Sequence, residues 1–185
     1  MPIVGSFAGA SARAYGASAG VIGPGDFESI ATVNVGVSGQ ANIDFTSIPG
    51  TYTHLQIRGI VAGTGNDLRL RFNSDSGSNY TYHFVYGDGA TAASGASSAT
   101  DGTYLGFVAN TSNATFTFVT DILDYTNTNK FKTIRTINGQ DLNGSGLAML
   151  SSSHWRSTAA VTSIRLLLNA GNIGQYSSFA LYGIK

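Results

Sequence analysis

Alternation with a period of two is the feature that most narrows what this chain can become. In TYTHLQIRGIVA, residues 51–62, Leu55, Ile57 and Val61 share one side while His54, Gln56 and Arg58 share the other. A pleated strand with one buried face needs this pattern, because successive side chains point to opposite sides. NDLRLRFN repeats it, with Leu68, Leu70 and Phe72 inward and Arg69 and Arg71 outward. The runs IATVNVGV, ANIDF, NYTYHFVY, TYLGFVA, ATFTFVTDIL, KFKTIRTI, SGLAML, AVTSIRLLL and YSSFALYGI behave alike. They predict ten or eleven short strands, and no stretch carries the 3.6-residue period of an amphipathic helix.

Turn signals separate these runs: Pro49-Gly50, the Gly63 to Asn66 stretch, Asn127 to Asn129, and Asn138-Gly139. Many short strands with no helices between them predict an all-β fold, an antiparallel β-sandwich of jelly-roll form. At 185 residues the chain suits one domain, assigned to residues 27–185. The small-residue segment GDGATAASGASSATDG, residues 87–102, is expected to be a long surface loop.

Residues 1–26 differ from all of this. Gly and Ala fill twelve of the first 25 positions, and Arg13 is the only charged side chain before Asp26. Too few large side chains are present to build a core. The expectation is an extended N-terminal arm that packs on another protein surface, with Ile3, Val4, Phe7, Tyr15, Val21 and Ile22 as widely spaced pegs. Extended, 25 residues reach at most roughly 80 to 90 Å, enough to cross a neighbouring subunit. The start lacks the basic region and apolar run of a signal peptide and reads as mature sequence.

Charge limits the partners. Ten basic and ten acidic side chains cancel, and charged residues are 11% of the chain, against about 25% in typical soluble domains. No bulk positive field is available for nucleic acid, and no apolar run is long enough for a membrane-spanning helix. Low charge with 42% hydrophobic residues fits a surface covered in an assembly. There is no cysteine, hence neither a disulfide nor a thiolate site.

Catalytic patterns are missing from the sequence. His54, His83 and His154 have no G-x-S-x-G elbow to serve, and they read as surface or interface residues. NSDSGSN, residues 73–79, is rich in oxygen ligands but lacks the repeated carboxylates of a calcium loop, so a polar turn is preferred. Nothing selects a carboxylate pair for glycoside cleavage. The chain is therefore read as no enzyme, without cofactor or metal. Sugar binding is the stronger rival, with Trp155, Tyr80, Tyr82, Tyr86, Tyr104 and Tyr125 as stacking candidates. Arg58, Arg69 and Arg71 are candidates for a basic stripe that meets a protein neighbour.

FTSIPGTYTHLQIRGIVAG, LRLRFNSDSGSNYTYHFVYGDG, DILDYTNTNKFKTIRTINGQD and the terminal SSFALYGIK resemble a recurring β-rich module of tailed-bacteriophage structural proteins, many from phages of cyanobacteria and other aquatic bacteria. The opening GSFAGASARAYG is similar to N-terminal segments of phage virion proteins. The resemblance implies a place in a virion assembled in the bacterial cytoplasm. It implies a capsid decoration or cement protein, commonly a homotrimer, whose partners are the major capsid protein or other virion proteins. The alternative it implies is a tail fibre or tail-associated module that binds a host receptor or glycan. It transfers no catalytic residue.

Overall fold

The computed structural model of the chain describes residues 26–63, 66–108 and 115–185. Within them lie twelve strands: β1 (Phe27–Asn34), β2 (Asn42–Phe45), β3 (His54–Val61), β4 (Asn66–Phe72), β5 (Tyr80–Gly87), β6 (Ala92–Thr100), β7 (Thr103–Val108), β8 (Phe116–Leu123), β9 (Lys132–Asp141), β10 (Gly146–Trp155), β11 (Ile164–Leu168) and β12 (Ser178–Ile184). No helix occurs among the described residues. The expected arm, with Ile3, Val4, Phe7, Arg13, Tyr15, Val21 and Ile22, lies outside the described residues.

The strands form two antiparallel sheets. The larger has the order β1-β12-β3-β8-β9-β10-β5-β6, and the smaller β2-β11-β4-β7. Leaving aside the strand pairs β5/β6 and β9/β10, the remaining eight strands pair as β1-β12-β3-β8 and β2-β11-β4-β7, the wrapping of a jelly roll. The two extra pairs add themselves to one side of the larger sheet, which becomes twice as wide as its partner. The smaller sheet's edge strand β7 lies over β8, β9, β10 and β5.

Alternation explains the core. Leu55 and Ile57 of β3, Phe116, Phe118 and Ile122 of β8, and Phe179 and Leu181 of β12 point inward from the larger sheet. Leu68, Leu70 and Phe72 of β4 and Ile164 and Leu166 of β11 meet them from the smaller one. The register of β4 slips by one residue at Leu68/Arg69, opposite Gly106. Gly106 sits at φ +138°, and a Cβ there would lie 2.5 Å from Phe116 Cζ. The bulge is built on a residue with no side chain because nothing larger fits.

Two local expectations differ from the structure. The small-residue segment 87–102 is not a loop: Gly87 ends β5, Asp88 to Thr91 turn, residues 92–100 are edge strand β6, paired with β5, and Asp101 and Gly102 make the β6–β7 turn. The Phe84 ring lies over Gly95, where a Cβ would come within 2.5 Å of Cζ. Small residues are what this edge needs to accept an aromatic row. Asn138-Gly139 is likewise no turn but part of β9. The Asn138 side chain is buried and donates its amide to Leu105 O across the sandwich at 2.5 Å, and the hairpin closes later, where Leu142 N donates to Ser145 O.

Candidate functional site

The outer face of the larger sheet carries the most unusual surface. Val119 of β8 stands opposite Ile137 of β9, Ile137 opposite Leu150 of β10, and Leu150 opposite Val85 of β5. Register therefore sets four aliphatic side chains in one straight row across four strands. They are exposed by 38%, 67%, 51% and 50% of their area, so the protein leaves uncovered what it would ordinarily bury. Ile60, 48% exposed, adjoins the row on β3.

The neighbouring rows differ from one another. Two residues along the strands on one side come Thr117, Gly139, Ala148, Gly87 and Ala92, a shelf of small side chains. On the other side Gln56, Asp121, Arg135, Ser152 and His83 make a polar row. The shelf opens into a groove of 870 Å³, whose far wall is the β9–β10 turn from Asp141 to Gly146. Among the described residues Asp88 and Asp141 line this groove and no Lys or Arg does. The amides of Thr91 and Ala90 donate to Asp88 and hold its carboxyl below the usual carboxylate range. The groove thus has an acidic rim beside a floor of small residues.

Arg58 closes the other end of the row, opposite Val119. Its guanidinium lies over the rings of Phe27 and Tyr182, 5.3 and 5.1 Å from their centroids. Its Nε donates to Gln56 Oε1 at 2.8 Å, and Gln56 in turn donates to Asp121. Phe27, Arg58 and Tyr182 together form a ridge at the β1 side of the face.

The three arginines do not make one stripe. Arg69 and Arg71 belong to β4 of the smaller sheet, whereas Arg58 belongs to β3 of the larger one. Arg69 Nη1 donates to Asp101 Oδ1 at 2.5 Å, and Arg71 binds both the Asp101 carboxylate and, through Nε, its backbone oxygen. Burial tends to raise the Asp101 carboxyl, but the charges of Arg71 and Arg69 outweigh it and hold the group below its ordinary value. This cluster ties the β6–β7 turn to the smaller sheet.

Trp155 is not a platform. It is 2% exposed, stacks with Tyr80 at 6.4 Å, and donates Nε1–H to Asp75 Oδ2 at 2.7 Å. The same carboxylate receives Asn79 Nδ2 and Gly77 N, which makes residues 73–79 a turn organised around Asp75. Tyr80 and Tyr125 are also fully buried. Tyr82, Tyr86 and Tyr104 remain partly exposed and gather with Phe84, the rings of Tyr82 and Phe84 lying 5.4 and 5.5 Å from Tyr104. Burial, with the charge of Asp67 beside it, pushes the Tyr104 hydroxyl up to about 12.

His54 Nδ1 accepts the Asp124 amide at 3.0 Å, and His83 and His154 are exposed on β5 and β10. Among the described residues no three His, Asp or Glu side chains come together as a metal site.

Sequence reasoning missed the aliphatic row, although a signal for it existed. Val85, Val119, Ile137 and Leu150 all fall out of phase with the buried set of their own strands. Phe116 and Phe118 fix the inward phase of β8, for example, and Val119 breaks it. Four such violations show as one feature only when the register aligns them.

No protein-family model matches the chain, and no curated protein matches it.

Proposed function

We propose that the protein is a non-enzymatic structural component of a tailed-phage virion, which decorates and stabilises the capsid as a cement protein. The jelly roll serves as a surface knob of a homotrimer, and residues 1–26 form the arm that fastens it to neighbouring capsid or cement subunits. The observation that carries this reading is the row Val119, Ile137, Leu150 and Val85, a straight apolar contact surface of a kind that assemblies cover. The sequence resemblance to phage structural modules supports the virion setting.

The test is copy number. Quantitative mass spectrometry of purified virions should find the chain in a sizeable fraction of the copies of the major capsid protein. A handful to a few tens of copies per particle would overturn the cement role.

Such a low count would favour the tail-associated, glycan-binding reading, and one observation supports it. The partly exposed Tyr82, Tyr86 and Tyr104 form an aromatic surface beside Asp67, which is the chemistry that stacks on sugar rings and binds their hydroxyls.

A further inference from the structure

We infer that the outer-face row and its adjoining groove receive residues 1–25 of a neighbouring copy of this chain. The inference rests on the arm reading above and names the surface that takes the arm. Its starting point is complementarity of chemistry. The face offers aliphatic side chains, a shelf of glycine and alanine where an extended backbone can lie close, and an acidic rim at Asp88 and Asp141. The arm offers spaced pegs from Ile3 to Ile22, small residues between them, and Arg13 as the one basic side chain in residues 1–25. Pegs cover the row, small residues fit the shelf, and Arg13 faces the rim.

Reach and direction decide which copy supplies the arm. The described chain begins at Asp26, directly before β1, at one edge of the larger sheet. From β1 to β5 there are six strand spacings, roughly 29 Å, well within the roughly 80 Å that 25 residues span when extended. Length permits either a chain's own face or a neighbour's. The ridge of Phe27, Arg58 and Tyr182 stands on the outer face between Asp26 and the row, and it obstructs the direct path to the chain's own sheet. Each copy then gives at its β1 edge and receives over β9 and β10, a head-to-tail contact of the kind that closes into rings, as a homotrimer requires.

The chain has no cysteine, so introduced thiols are the only ones present. Full-length Ser11→Cys and Ala148→Cys chains, mixed in equal amounts and gently oxidised, should form a disulfide-linked heterodimer in excess of either homodimer. Ile137→Asp or Leu150→Asp in the Ala148→Cys chain should lower that yield about tenfold each, since burying such a side chain is worth a factor of that order. Both positions are exposed, and circular dichroism checks that the variants are folded. No heterodimer, or a yield that the aspartates leave unchanged, overturns the inference. So does a chain carrying both thiols that closes only on itself, because that places the arm on its own sheet. Capsid binding reports the arm reading separately. Full-length Phe7→Asp, Tyr15→Asp chains that bind capsids unimpaired overturn that reading, whereas loss of capsid binding in these chains with no heterodimer overturns only the placement on this face.

Discussion

Individual residues here repeatedly do something other than their type suggests. Trp155 is the only tryptophan, and an aromatic in a β-rich chain invites a ligand-stacking role. Its burial against Phe72 and Tyr80, with its N–H satisfied by Asp75, makes it a structural residue instead. Trp155→Ala should lower unfolding free energy by about 3 to 5 kcal/mol, measurable by urea titration with circular dichroism as the readout; a change below about 1 kcal/mol would contradict this placement. Lys132 is a second case. Its inward phase in β9 is legible from Ile134 and Thr136, yet no pattern says what a buried ammonium would meet. The structure closes a cage of backbone oxygens around it, from Asn127, Lys130 and Thr158. Burial, joined by the charge of Lys130, lowers its pKa.

At the scale of elements, β6 and the turn after it are the most instructive. A run of Ala, Ser and Gly has no inherent strand signal, and β6 exists because β5 offers a paired edge and Phe84 needs the space above Gly95. The β6–β7 turn is then held by Asp101 between Arg69 and Arg71. The Asp101 carboxyl has a lower pKa folded than its ordinary 3.8. Its contribution to stability is therefore fully present above that value and is lost as pH falls through the folded one. The side chain is 38% exposed, so solvent and salt screen the contribution to about 1 kcal/mol or less. Asp101→Asn should be less stable than the parent at pH 7, and the gap between the two unfolding curves should begin to narrow as pH falls below about 3.8. A gap that stays constant as pH falls through the acid range would show that charge is not what holds this turn.

For the whole molecule, the consequential feature is a wide sheet facing a narrow one, with an apolar row left on the wide sheet's outer face. Ile137→Asp should leave thermal stability within about 0.5 kcal/mol, because the side chain contributes little to the folded monomer. It should also reduce the molecular mass seen by light scattering at concentrations where the parent associates. Equal mass for both proteins would remove Ile137 from any contact between copies. The sequence by itself determined the all-β class, most strands and the inward faces of β3 and β4, because a period of two is a local property that each strand displays alone. It also marked residues 1–26 as unlike the rest, through composition. It did not determine the pairing order of strands distant in the chain, the strand character of residues 92–100, or the alignment of Val85, Val119, Ile137 and Leu150. Those depend on register between strands, and register is set by which inward faces meet across the sandwich, so only the tertiary structure decided them.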